Sequence, residues 1–372
     1  MAPFARLAGR FRAELRASPG PPPPAALRLH RMMFRRFLRE AGFDPLPFPD
    51  LVGRDDFLDE FRWSLDEQAA DGALTPDVFG CLFDKHVSRK ETGTFYTGRD
   101  VTDYIAAATI VPALLDAVSA RRPDFLFAES VNDLVTRNVD LVSFAAGRIA
   151  ACDDPHVRAA VRDSLRALTV LDPTCGCGEF LVAALRVLEP LYEACGEGRS
   201  ARETILRHNL HGLDLMPEAV EITRMRLLLM LAASARGSGR PPSPRPDDRL
   251  RAGDALAPPD PFPRVARRGG FSVVLGNPPY VEVAPDHPGY RTARCGNLYA
   301  FVVERGLRLL APHGRMGLIV PHSAFCTDRM APLASLVLRR GVTWVSTYDI
   351  RPCKLFAGVD QRLAIFLSAP SP

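Results

Sequence analysis

The chain has 372 residues, 47% of them hydrophobic and 24% charged, with a formal net charge of +4, the proportions of a soluble globular protein holding one large domain with an appendage or two modest ones. No run of eighteen or more uncharged apolar residues occurs, which argues against a transmembrane helix. The start is rich in Arg but lacks the compact apolar stretch and small-residue cleavage site of a secretory signal.

The charge is uneven. Residues 1–40 carry nine Arg against Glu14 and Glu40, so this segment holds +7 and the remainder −3. A basic arm of this kind suits phosphates, and a solvated helix face explains it equally simply. The eight cysteines (Cys81, Cys152, Cys175, Cys177, Cys195, Cys295, Cys326 and Cys353) show neither a CxxC pair nor a Cys/His spacing suited to zinc. A chain of this length does not need a disulfide framework, so they read as reduced thiols of a cytoplasmic, bacterial protein with no bound metal.

In chain order, Met1–Arg16 reads as a basic helix and the Pro-rich run from Ser18 to Pro24 as a stiff break. Ala26–Ala41 follows as a helix with Met32, Met33, Phe34, Phe37 and Leu38 on its apolar side, and helical patterning continues from Leu51 to Phe83 with interruptions around Asp71-Gly72 and Pro76. Residues 1–88 are thus expected to be a helical N-terminal region. Val101–Leu115 is also helical. From Thr169 the rhythm becomes strand and helix in alternation. Leu168–Leu171, His211–Leu215, Phe271–Leu275, Met316–Val320, Val342–Asp349 and Leu363–Leu367 read as strands, and Glu179–Leu188, Pro217–Ala233 and Tyr299–Leu310 as helices. Repeated βα units predict an α/β fold, a Rossmann-like doubly wound sheet that is mostly parallel, over residues 89–372.

Chemistry concentrates at the ends of these strands. Asp172-Pro-Thr174-Cys-Gly176-Cys-Gly178 joins the first strand to its helix, and its glycines let the backbone pass close to a ligand and turn tightly. The pattern is neither the GxGxxG dinucleotide fingerprint nor a P-loop. Cys175 and Cys177 read as small fillers of the turn. Asp214 ends the second strand, placed either to accept ribose hydroxyls or to cap the next helix. Asp254, followed by Ala255, reads as an acceptor for a ring amino group or as a plain turn aspartate. Asn277-Pro278-Pro279-Tyr280 follows a buried strand. An amide oxygen and a proline-fixed carbonyl there accept the two hydrogens of a planar amine, and the tyrosine ring stacks on the base that carries it.

Taken together these segments resemble the γ-type N6-adenine DNA methyltransferases, in particular the methylase domains of Eco57I-like restriction–modification systems, over about residues 85–370. Glu91 to Thr97 resembles the N-terminal cofactor motif of that family, with Gly98 where proline is common. The segments at Asp172, Asp214, Asp254 and Asn277 match its later motifs in order. Asn297–Glu304, Gly317–Pro321 and Leu355–Val359 resemble the elements that follow.

The resemblance implies a Rossmann-like S-adenosylmethionine-dependent methyltransferase fold with a late antiparallel strand. It also implies S-adenosyl-L-methionine as cofactor, held by Thr94, Phe95, Tyr96, Thr97, Asp172, Thr174, Gly176, Gly178, Asp214, Asp254 and Ala255. The substrate implied is double-stranded DNA, from which an adenine is flipped out and stacked by Tyr280 and Phe356. Asn277 and Pro278 to Tyr280 would form the catalytic motif of a site-specific adenine methyltransferase serving modification or phage defence. Alternatives with the same motif are methylation of RNA or of a release-factor glutamine. No C-terminal target-recognition domain is evident, so a separate specificity or nuclease subunit, or a truncated non-catalytic role, is also expected to be tested.

Overall fold

Among the described residues seven strands form one sheet, in the order Leu250–Ala252, Leu210–Asp214, Val170–Asp172, Phe271–Gly276, Leu310–Pro321, Leu363–Pro370, Gly341–Tyr348. The computed structural model describes residues 2–17, 22–43, 56–67, 69, 72–86, 97–123, 130–235, 248–284, 289–351, 355 and 360–371. The chain opens with helices α1 (Ala2–Ala17) and α2 (Pro22–Glu40), the short strands β1 (Arg62–Trp63) and β2 (Ala73–Leu74), and helix α3 (Val78–His86). Helices α4 (Arg99–Arg121), α5 (Val131–Thr136), α6 (Leu141–Ala150) and α7 (Pro155–Ala167) precede the sheet. The sheet unit runs β3 (Val170–Asp172), α8 (Glu179–Ala194), α9 (Ala201–His208), β4 (Leu210–Asp214), α10 (Pro217–Ser234) and β5 (Leu250–Ala252). It continues α11 (Pro263–Ala266), β6 (Phe271–Gly276), α12 (Leu298–Leu309), β7 (Leu310–Pro321), α13 (Ala331–Leu338), β8 (Gly341–Tyr348) and β9 (Leu363–Pro370).

Strands β3 to β7 pair in parallel, and β9 enters antiparallel to both β7 and β8. This is the mostly parallel sheet with a late antiparallel strand that the sequence predicts. Its central strands are apolar on both faces because helices cover both. Side chains alternate between two cores, as strand geometry requires. Val170, Val273, Leu275 and Ile319 face the core built with α4 and α8, whereas Leu171, Val274, Leu318 and Val320 face the core built with α12 and α13. Helix α4 is long and apolar enough to cross a membrane, but most of it is buried against α8, β6 and β7.

The N-terminal region is less purely helical than its sequence suggests. The stretch after Leu51 holds a short 3-10 turn (Asp56–Glu60) and the parallel β1–β2 pair, with Gly72 just before β2. Nor are its first helices a free basic arm. Leu7, Phe11, Met33, Phe37 and Phe79 share an apolar core with Ile222, Met225 and Leu229 of α10. Several of its arginines pair with acids: Arg31 with Glu221 at 2.6 Å, Arg10 with Glu60, and Arg36 with Glu40 and Asp59. Arg10, Arg31 and Arg36 are thus engaged within the fold, and Arg31 ties α2 to α10.

Candidate active site

The carboxyl ends of β3, β4 and β6 meet at one crevice, where open α/β sheets bind ligands. From β3 the chain turns through Thr174 to Gly178 into α8. The turn is fixed at both ends, since the Cys175 amide donates to the Leu213 carbonyl at 2.8 Å and the Gly178 amide to the Cys175 carbonyl at 2.8 Å. Gly178 stands at φ +84°, and a β-carbon there would lie 2.7 Å from the Thr223 methyl. Thr223 in turn donates its hydroxyl to the Gly176 carbonyl at 2.8 Å, binding the turn to α10. Cys175 and Cys177 are buried, and burial pushes the Cys175 thiol up, so they fill space as the sequence suggests.

Asp172 and Asp214 face this crevice without a basic partner among the described residues. Asp172 accepts the Thr174 amide at 3.1 Å. Burial drives its carboxyl up to about 8; the Thr174 amide opposes the rise and the Asp214 charge adds to it. Asp214 accepts the amides of Gly176 and Met216, both at 2.9 Å, and burial raises it too. It closes the turn ahead of α10 rather than standing at the helix N-cap, which is Met216.

The catalytic-motif candidate follows β6 directly. Gly276, at φ +154°, brings the backbone against Asp172: a β-carbon there would sit 2.7 Å from Asp172 Oδ1. Asn277 is then held at both ends of its amide. Its Nδ2 donates to Thr97 Oγ1 at 3.1 Å, and its Oδ1 accepts the Tyr280 hydroxyl at 2.5 Å. The same hydroxyl lies 3.1 Å from the Ile319 carbonyl, and the Tyr280 ring meets the Tyr299 ring edge-on at 6.1 Å. Pro278 is buried and Pro279 half-buried. An amide oxygen carries two lone pairs, so Oδ1 keeps one for a further donor.

Thr97, Asp172, Thr174, Gly176, Asp214 and Asn277 line one cavity. Asp254 and Ala255 are not among its lining residues. Asp254 is exposed and accepts the Leu256 amide at 2.8 Å in its own turn, and Ala255 packs into the core beneath α12. Thr94, Phe95, Tyr96 and Phe356 lie outside the described residues. Beyond the motif, the buried Glu304 anchors the returning loop. It accepts the amides of Arg291 at 3.0 Å and Thr292 at 2.8 Å, the Thr292 hydroxyl at 2.8 Å, and a guanidinium hydrogen of Arg308.

Three contributors escape the sequence reading. Gly276 is one, and its place directly before Asn277 is the signal that would have found it. Leu215 is another, 73% exposed beside Asp214 and so an open apolar surface next to the crevice. The third is α3, whose Gly80 and Phe83 line the same cavity although no sequence motif marks them. Among the described residues no group of three His, Cys, Asp or Glu side chains is placed to hold a metal.

Residues 208–340 match the Eco57I restriction-modification methylase family, and residues 150–236 match the MmeI DNA-methyltransferase domain. A Methanocaldococcus jannaschii protein named as a type II restriction enzyme and methyltransferase is 29% identical over 190 residues, which are 47% of this chain and 16% of that protein. The adenine-specific methyltransferase PglX of Streptomyces coelicolor is 29% identical over 164 residues, covering 35% of this chain and 14% of PglX. The chain thus spans well under two thirds of the curated relatives it matches. In fold it is similar to the type IIL restriction-modification enzyme MmeI solved in complex with DNA, with a TM-score of 0.58 and 15% identity over 100% of this chain and 57% of that one. The Rossmann-like methyltransferase architecture expected from the motifs is the one present, and the two family matches, over residues 208–340 and 150–236, are both to methylases of restriction–modification systems.

Proposed function

We propose that this chain is the catalytic part of a site-specific DNA adenine-N6 methyltransferase, in which residues 1–88 form a helical layer and residues 89–372 the catalytic domain. One observation carries the reading. Asn277, its amide orientation fixed by Thr97 and Tyr280, lines the same cavity as the buried Asp172 and the half-buried Asp214, which have no cation partner among the described residues. S-adenosyl-L-methionine fits that donor set, since it is a cation bearing a ribose and an amino-acid tail. Bound there, it supplies an electrophilic methyl on a sulfonium.

The chain's residues do the remaining work. Asp214 accepts ribose hydroxyls, Asp172 meets the ammonium of the amino-acid tail, Thr174 and Thr94 to Thr97 flank it, and Gly176 and Gly178 let the tail pass. Asp254 is assigned to the adenine ring of the cofactor on the family resemblance alone, since it lies in an exposed turn outside that cavity, and Ala255 holds the turn from the core. Asn277 Oδ1 and the Pro278 carbonyl accept the two hydrogens of the target amine and draw its nitrogen toward sp³ character. Acceptors fixed in advance need no reorganisation as positive charge develops. Tyr280 and Phe356 hold the flipped base by stacking, worth about 1–3 kcal/mol per base. Double-stranded DNA as substrate fits modification or phage defence in the cytoplasm, with sequence reading by further polypeptide or a separate specificity or nuclease subunit.

Labelled methyl transfer to DNA, ribosomal RNA and a release factor, run side by side, tests the substrate class. Label in DNA adenine is the expected result. Label only in RNA or in the release-factor glutamine overturns it.

A further inference from the structure

The N-terminal layer does more than cover the sheet. Its helix α3 (Val78–His86) meets the glycine turn at a buried ionic junction. Arg226 of α10, 1% exposed, donates to Glu179 at 2.6 and 2.9 Å, to the Cys177 carbonyl at 2.7 Å and to Asp77, just ahead of α3, at 3.2 Å. A single cation therefore ties three elements that are far apart in sequence. The contact is close, for a β-carbon on Gly80 would collide with the Glu179 carboxylate. Gly80 and Phe83 are three residues apart and so share a helix face. That face lines the crevice that also holds Asp172, Gly176, Asp214 and Asn277. The Phe83 ring is supported from behind by the buried His30 ring, edge-on at 6.2 Å.

We infer that Phe83 is a cofactor-contacting residue and that α3 forms one wall of the S-adenosylmethionine site. This rests on the reading of the crevice given above. Phe180, Met216 and Ala219 line the same crevice beside the carboxyls and hydroxyls, and Phe83 is the aromatic contributed to it by the N-terminal layer. An aromatic ring adds an apolar wall for the carbon skeleton and a π face that attracts a cation. The N-terminal layer then belongs to the cofactor machinery, and the Arg226 junction keeps its wall in register with the glycine turn.

The test is calorimetric titration of the full chain with S-adenosylmethionine and with S-adenosylhomocysteine, whose sulfur is neutral. Wild type is compared with Phe83→Leu, which keeps the packing volume. A second comparison is Leu82→Ala, since Leu82 is buried on the same helix but absent from the cavity lining. Melting of the ligand-free proteins is measured alongside. Phe83→Leu is expected to weaken S-adenosylmethionine binding by roughly tenfold and S-adenosylhomocysteine less, with little change in melting. Leu82→Ala is expected to lower melting and leave affinity unchanged. Phe83→Leu affinity within about twofold of wild type overturns this assignment alone. Wild type that binds neither ligand overturns the reading of the crevice and this assignment with it.

Discussion

Carboxyls lie on both sides of the Asn277–Tyr280 turn, and the protein treats them in opposite ways. Glu304, behind the turn, is given four donors, and these hold it below the ordinary glutamate range although burial works against them. Asp172 and Asp214, in front of the turn, receive only backbone amides, and burial drives both upward. A buried acid without a cation is costly, and folds ordinarily pair it. The difference teaches that Glu304 serves the fold, whereas the crevice acids are left open to a charge from outside, as the proposed cofactor site requires.

The largest effect is expected where the two regions meet. Asn277→Ala should lower methyl transfer by at least about a hundredfold while S-adenosylmethionine affinity is retained, read by labelled transfer and calorimetry on the same preparation. A loss of affinity in step with transfer would place Asn277 among the cofactor acids instead. Gly276→Ala comes next, because the new β-carbon strikes Asp172 and the φ of +154° strains any side chain. Backbone strain of this kind costs about 1–3 kcal/mol. Both melting temperature and cofactor affinity should fall.

The two regions should also answer pH with opposite sign. A carboxyl raised by folding stabilises the protein below its unfolded value and loses that contribution as pH climbs through its folded value. For Asp172 the decline runs from about 4 up to about 8. Each pKa unit is worth about 1.4 kcal/mol, so several kcal/mol are at stake. Asp172→Asn should therefore flatten the fall in melting temperature of the ligand-free protein between about pH 4 and about 8. Glu304 is lowered by folding, so its contribution is present above its unfolded value and is lost as pH falls through its folded one. Glu304→Gln should flatten the acid side only. Matching profiles for the two variants would erase the contrast. The smallest effect is expected at Asp254, exposed and held in its own turn, where Asp254→Ala should weaken cofactor binding by less than about tenfold in a calorimetric titration.

Much of this was legible in the sequence because function sits at strand ends, where local motifs are short and contiguous. The turn from Asp172 to Gly178, the acid at Asp214 and the Asn277–Tyr280 tetrapeptide each occupy one stretch of chain, and the structure draws them together. The antiparallel entry of β9 was also foreseen. What was missed depends on contacts between distant segments. Phe83 looks like any core aromatic until α3 is docked, and Arg226 reads as an ordinary helix arginine until Glu179 and Asp77 close on it. Helices α5 to α7 are a different omission, since their caps were visible: Ser130, Asp140 and Asp154, the last followed by Pro155 at the first helical position. The basic charge of residues 1–40 misleads for the same reason as Phe83, because its partners Glu221, Glu60 and Asp59 lie elsewhere in the chain.

The central claim is that the crevice acids await a cation beside Asn277. Calorimetric titration of wild-type protein with S-adenosylmethionine at neutral pH, in two buffers of different ionisation enthalpy, tests it directly. Binding accompanied by proton release is the predicted result, as the arriving charge draws Asp172 down from about 8. No binding, or binding with no difference between the buffers, would contradict it.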